Sequence, residues 1–419
     1  MIVDNISRNF DDFNVQSFVT TKQLLRVLDK RSKYKDELIR IFKIDETKNE
    51  IFKIGNADAL INSLISLDNI IEKIDINAAI KDIHLKKMLE LEKSTFEIFN
   101  ISDDFILKQN KSDLLVAETL YSAKSDLLNL YNLSKFANYC RDKEYEDLID
   151  TIKVYLKQKN IENNEEIGLR LLYKYDEEKF FIRAKTSSHV YKDFGINFSV
   201  FVALVSLSRY VDNSNNEIYI ENYVVNDSEV YVSFSMTNVI KLDDNLSIGV
   251  SLILENDEIK RNAVTFNGVC KLKYSVNQKE SEIYIKPKGI RKENLKYSVD
   301  LLTYPHKGSV EKVFEKIEEL PKVIDLFINQ VSDDAPKISA LKNPDDVRKL
   351  IAGKIKYAKK AEFKEYKQKV YNKLMKITVD NTFKLFELLR DVEELFEHND
   401  VVSRDFWRTK LYEALIEKK

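Results

Sequence analysis

The sequence predicts an α+β protein: a mainly antiparallel sheet domain flanked by N-terminal and C-terminal helical regions. Three observations carry that expectation. Apolar residues recur at three- and four-residue spacing through residues 1–165, alternate over 166–300, and return to the helical period over 301–419. Six of the eight glycines lie between Gly168 and Gly308, where strands must reverse. All five prolines follow residue 286, marking helix starts or loops in the last region. The expected division is a mostly helical region 1–165, a β-rich domain 166–300 and a helical region 301–419 with a basic helix.

In chain order, 19–28 reads as a short amphipathic helix that begins at Thr20 and Thr21. Residues 58–74 read as another, with Leu60, Leu64, Leu67, Ile70, Ile71 and Ile74 on one side. Between them, 38–43 and 50–54 flank Asp45-Glu46-Thr47-Lys48-Asn49 as a small hairpin. Helices are expected at 82–100, 112–136 and 142–159, packed as a bundle by Leu, Ile and Phe. The polar stretch 160–166 reads as a break between units. Strands are expected at 169–175, 179–185, 217–225, 229–235, 246–254, 263–274 and 282–286, because β-branched and aromatic residues occupy every second position. Asn226-Asp227-Ser228 suits a hairpin turn. A single helix, 196–210, falls among them, apolar enough to lie against the sheet. Helices at 310–329, 344–379, 381–398 and 403–417 complete the chain.

Composition sets the class. With 44% hydrophobic and 32% charged residues the chain is globular and not disordered. Cys140 and Cys270 are too few and too far apart for a disulfide framework or a thiolate metal site, so a reducing, cytoplasmic compartment is expected. No apolar run of about 18 residues occurs, and no membrane association is expected. A net charge of -2 means that attraction to nucleic acid must come from a local patch.

Most catalytic patterns are missing. No glycine-rich phosphate loop and no G-x-S-x-G elbow occurs, and His84, His189, His306 and His398 are isolated. His189 stands in the polar segment Lys185-Thr186-Ser187-Ser188-His189, a turn that could meet a ligand. Glu258-Ile259-Lys260, with Asp243 and Asp244 upstream, matches the acid and E-x-K template of metal-dependent nucleases, in which carboxylates hold the metal and a lysine orients the attack. A match this short arises by chance among 69 acidic and 67 basic residues, and a turn at Asn256-Asp257-Glu258 is the plainer reading. No catalytic residue, cofactor or metal site is therefore assigned, and a non-enzymatic role is expected. Whether Asp193, Glu221 and Glu255 converge depends on the fold.

The strongest charge anomaly is 348–376, where eleven basic residues face only Glu362 and Glu365 on an expected single long helix. Lys354, Lys356, Lys359, Lys360, Lys364 and Lys367 are assigned to a phosphate backbone, with Tyr357, Tyr366 and Tyr371 interleaved as stacking platforms. The plainer reading is a solvated face whose lysines answer the acids of 387–397. A smaller basic cluster, Lys286, Lys288, Arg291, Lys292 and Lys296, follows the last strand.

The middle region resembles the phage/plasmid-related proteins that carry the domain of unknown function numbered 932. The resemblance rests on Phe181-Ile182-Arg183-Ala184-Lys185-Thr186-Ser187-Ser188-His189-Val190-Tyr191, a helix, two paired strands, and the glycine-containing strand Ile248-Gly249-Val250-Ser251-Leu252-Ile253-Leu254-Glu255-Asn256. It covers about a third of the chain. Asn267-Gly268 precedes Cys270 here, the reverse of that family's order. The resemblance implies a phage, plasmid or defence locus and transfers no reaction. The expected function is a non-enzymatic nucleic-acid-binding or accessory protein. A protein-interaction subunit is the alternative, and a metal-dependent nuclease the third.

Overall fold

A computed structural model describes residues 2–11, 13–28, 32–89, 93–259, 263–289, 301–339, 343–358, 363–396 and 401–416. It shows an α+β chain built on two large sheets and a two-stranded one. The N-terminal segment holds β1 (Ile6–Asn9), β2 (Val19–Thr20), α1 (Thr21–Arg26), α2 (Lys35–Ile41), β3 (Ile51–Phe52), β4 (Ile54–Gly55) and α3 (Ala57–Ile70). α1 starts where expected, because Thr20 and Gln23 form a reciprocal capping box. The hairpin expected around Asp45 is absent: 35–41 is helical, and β3 pairs with β2 instead.

The following stretch departs from the expected bundle. It contains β5 (Ile71–Ala79), β6 (Ile83–Met88), β7 (Ser94–Ile98), α4 (Asp104–Asn110), β8 (Leu115–Thr119), α5 (Ala123–Leu128), α6 (Ser134–Asp142) and α7 (Glu146–Asn160), then β9 (Glu166–Lys174) and β10 (Lys179–Ser187). These strands form one six-stranded sheet in the order β5-β9-β10-β8-β7-β6. The helix expected over 82–100 is a strand pair, and that expected over 112–136 is a strand followed by short helices. A register shift between Leu85 and Lys87 accounts for the first difference: it brings Met88 to the buried side three residues after Leu85, a spacing that reads as helical. The polar stretch 160–166 separates nothing, since β9 runs beside β5 along its whole length.

The second sheet follows as expected. After α8 (Ile196–Asp212) come β11 (Ile218–Val225), β12 (Glu229–Lys241), β13 (Leu246–Asp257), β14 (Val264–Val276), β15 (Lys279–Ile285) and β16 (Leu302–Tyr304). The order β1-β11-β12-β13-β14-β15 is antiparallel, with β16 on β14 and β4 parallel to β11. Asn226 makes the tight turn, its Oδ1 accepting from the Ser228 and Glu229 amides at 2.8 and 2.9 Å. α8 is buried along nearly its whole length against the sheet face that carries Val232, Phe234, Leu252, Leu254 and Phe266.

The C-terminal region contains α9 (Val310–Ile317), α10 (Leu320–Ser339), α11 (Pro344–Lys356), α12 (Lys364–Met375), α13 (Thr382–Glu393) and α14 (Val401–Ile416). Pro336 lies inside α10 and does not bound it. The single long helix over 348–376 is instead two antiparallel helices: Arg348 donates to the Leu374 carbonyl at 2.7 Å, and Lys367 donates to the Ala358 carbonyl at 2.8 Å. Folding back lets Val347, Ile351 and Ile355 share a core with Phe363, Val370 and Leu374, whereas a straight rod of that length, about 40 Å, would leave much of the stripe in water. Among the described residues, no helix is long and apolar enough to cross a membrane.

Candidate functional site

Strand alternation gives the six-stranded sheet two unlike faces. Ile74, Leu171, Phe180 and Ile182 point into an apolar cluster beneath α5, α6 and α7. Lys73, Asp75, Arg170 and Arg183 belong to the opposite face, where they meet the end of β13 and the start of α8. A β-bulge between Ile182 and Ala184 sets Arg183 into this seam.

Glu258 is the centre of the seam. Its Oε1 accepts from Lys73 Nζ at 2.9 Å and from the Ile196 amide at 2.8 Å, so it also caps the positive end of α8. Its Oε2 accepts from Arg183 Nη1 at 2.7 Å and lies 3.9 Å from Arg170. Burial disfavours the charge, but the Lys73 ammonium and the two guanidiniums outweigh it and hold the carboxyl well below the usual carboxylate range. Arg170 is fully enclosed: it donates to Asp75 at 3.0 Å, to the Glu258 carbonyl at 2.9 Å, and to Asp193 and Tyr191. His306 stacks on Tyr191 at 5.3 Å and meets Asn256 Oδ1 at 3.1 Å; burial, with Arg170 nearby, pushes its pKa down to about 4.

A cleft enclosing about 630 Å³, part of it open to solvent, lies beside this seam and is lined by Lys33, Tyr34, Asp68, Lys73, Asp193 and Asn197. The nuclease template does not assemble here. Asp243 and Asp244 stand in the turn before β13, the whole strand away from Glu258, a distance on the order of 40 Å at 3.3 Å per residue. Glu258 is committed to cations, and Lys260 lies outside the described residues. Among the described residues, no group of three or more His, Cys, Asp or Glu side chains is placed to hold a metal.

The other three acids stay apart. Asp193 pairs with Arg170 in the seam. Glu221, set by a bulge in β11, accepts from Lys271, from Ser235 at 2.7 Å and from Tyr284 at 3.0 Å. Glu255 accepts from Asn267 at 3.3 Å; burial and the neighbouring Asp405 push its pKa up to about 8 against three nearby cations. Lys286, of the smaller basic cluster, is buried and donates to Asp405 and Asn267, tying β15 to α14. Arg291, Lys292 and Lys296 lie outside the described residues. His189 sits exposed in the turn after β10, so the histidine that reaches a polar cluster is His306.

The assigned phosphate-binding residues divide by environment. Lys354 lies 3.8 Å from Glu413, and Lys367 is half-buried with its ammonium on a carbonyl. Tyr366 is buried and Tyr371 half-buried, so neither presents a stacking face as expected. Lys359 and Lys360 lie outside the described residues. Lys356 and Lys364 remain exposed, joined by Lys369 and Lys376, and none of these four makes an ion pair among the described residues. Tyr357 is 75% exposed, with Lys356 Nζ 5.8 Å from its ring centre. Other lysines of the region are also answered by acids, Lys373 by Asp391 and Lys349 by Asp345 and Asp346. Compared with family models, curated proteins and solved structures, the chain matched none.

Proposed function

We propose that this chain is a non-enzymatic nucleic-acid-binding or accessory protein of a phage, plasmid or defence locus, holding a polyanion on the outer face of α11 and α12. The observation that carries the reading is the set Lys356, Lys364, Lys369 and Lys376: exposed, and free of carboxylate partners among the described residues. Ammonium groups not already neutralised can release counterions from a phosphate backbone, and Tyr357 beside Lys356 supplies one exposed ring for an unpaired base. The seam around Glu258 is read as structural, since each of its charges is matched by protein groups.

The test is fluorescence anisotropy with labelled duplex and single-stranded oligonucleotides of unrelated sequence, titrated at several salt concentrations. Replacing Lys356, Lys364, Lys369 and Lys376 with Glu should weaken binding alike for every sequence and flatten the salt dependence by roughly 0.9 per lost phosphate contact. Unchanged affinity in this variant removes the hairpin from the reading.

A further inference from the structure

The cleft beside the seam is walled by separate segments of the chain, and four of its polar groups are not used by the fold. Two are acceptors at the start of α8. Asp193 gives one carboxylate oxygen to Arg170, and its other oxygen has no partner among the described residues, with the side chain 36% exposed. Asn197 turns its amide nitrogen to the Val27 carbonyl at 2.9 Å and to Asp68 Oδ2 at 3.1 Å, which fixes the side chain and leaves Oδ1 without a donor among the described residues. Gly195 lets the acids come this close to the backbone, since an added Cβ would lie 2.6 Å from Glu258 Oε1 and 3.0 Å from Asp193 Oδ1. The other two groups are donors from the segment that leads into α2. Lys33 is exposed and makes no ion pair among the described residues. The Tyr34 hydroxyl lies against the Asp193 backbone amide; burial and the Asp193 charge push its pKa up to about 12, so it keeps its proton to donate. Val27, Ile71 and Phe198 supply the apolar part of the wall, with Tyr34 edge-on to Phe198 at 5.9 Å.

The charges of the seam are unevenly shared, and this indicates the ligand. Glu258 has Lys73, Arg183 and Arg170 around it, whereas Asp193 and Asp75 divide Arg170 between them. Burial and the like charges of Asp75 and Glu258 hold the Asp193 carboxyl above the usual range in spite of Arg170. Asp193 is thus an acid with room for one more cation, and its open oxygen is where a cation can reach it. We infer that the cleft binds a free α-amino acid with a small apolar side chain, its ammonium on Asp193 and Asn197 and its carboxylate on Tyr34 and Lys33. An α-amino acid carries both charged groups on one carbon, which suits an acceptor and a donor as close as Asp193 and Tyr34. A simple amine would leave Lys33 and Tyr34 idle, and a simple carboxylate would meet Asp193 as a like charge. The volume of about 630 Å³, open mouth included, falls in the range of small-molecule sites. None of these residues belongs to α11 or α12, so the site stands or falls apart from polyanion binding.

The experiment is isothermal titration calorimetry on the full-length, nuclease-treated chain with L-alanine, L-valine and L-leucine up to about 10 mM, enough to reveal a millimolar site. Isoamylamine and isocaproate keep the leucine side chain and lack one charge each. Saturable binding is expected for at least leucine, with the two single-charge analogues at least about tenfold weaker. Lys33→Glu should leave the melting temperature of the ligand-free chain unchanged, because Lys33 is exposed, and should weaken leucine at least about tenfold. Asp193→Asn keeps an oxygen for Arg170, removes the charge and should weaken leucine alike. Absence of saturable binding for all three amino acids overturns the inference. Isoamylamine or isocaproate binding as tightly as leucine overturns it too, as does full leucine affinity in Lys33→Glu or in folded Asp193→Asn.

Discussion

Replacing Glu258 with Gln isolates the charge of the seam while preserving its shape. The amide oxygen can still accept from the Ile196 amide, which retains the cap on α8. What is lost is the negative charge shared by Lys73 at 2.9 Å and Arg183 at 2.7 Å, with Arg170 at 3.9 Å. Arg183 is fully buried and would keep only its bond to the Asp227 carbonyl at 3.0 Å. Removing one member of such a buried set costs about 3–5 kcal/mol, because the Arg183 guanidinium has no solvent to turn to. Urea denaturation at pH 7 should show a loss in that range. The same loss must shrink in acid. Since the folded carboxyl titrates below the unfolded value of about 4.3, its contribution is complete above that pH and declines as pH falls through the folded value. The gap between native and variant stability should therefore be constant above about pH 5 and narrow below about pH 4. A loss under about 1 kcal/mol at pH 7, or a gap that ignores acid, would refute the account of Glu258 as the electrostatic keystone.

Two further outcomes follow from the same geometry. His306 is held neutral in the folded state, with a pKa of about 4, so stability should fall as pH drops from about 6.5 to 4, by about 3 kcal/mol over the whole window. His306→Phe keeps a ring on Tyr191 and should flatten that slope in urea midpoints measured at pH 7 and pH 5; an unchanged slope assigns the proton uptake elsewhere. Gly268 leaves room for Phe327 of α10, whose ring atoms would lie 2.8–3.0 Å from an added Cβ. Gly268→Ala should cost about 1–3 kcal/mol, and Phe327→Leu in the same chain should return part of it. Additive losses would show that α10 does not press on the sheet at that point.

The second sheet was legible because its strands follow one rule without interruption: alternating apolar residues, β-branched and aromatic content, and turn chemistry at Asn226. The Thr20 cap was legible for the same reason, since capping is local. β5, β6, β7 and β8 were not, because their lysine, glutamate, leucine and alanine content favours helix, and only sheet pairing overrides it, with β9 and β10 for β5 and β8 and within β6-β7-β8 for the rest. The seam does leave a trace in the sequence. Leu169-Arg170-Leu171-Leu172 and Phe181-Ile182-Arg183-Ala184 each set one arginine between apolar neighbours inside a strand, and a buried arginine requires a carboxylate. Glu258 stands in a nuclease-like spacing, but its chemistry is set by the cations facing it, which come from β5, β9 and β10 and cannot be paired with it by spacing. The basic helix was legible as charge and not as shape: Tyr366 and Lys367 turned inward once α12 folded back on α11.

Seam and basic surface rest on different elements, and this makes their roles separable. The seam joins β5, β9 and β10 to the end of β13 and the start of α8, whereas α11 and α12 pack on α13 and α14. Lys356, Lys364, Lys369 and Lys376 project into solvent, so exchanging them for Glu should move stability by no more than about 0.5 kcal/mol each while removing polyanion affinity. Glu258→Gln should do the opposite, lowering stability while leaving the affinity of the folded fraction intact. If that variant instead weakens polyanion binding under conditions where it remains folded, the cleft beside Glu258 is part of the binding surface and the structural reading of the seam fails.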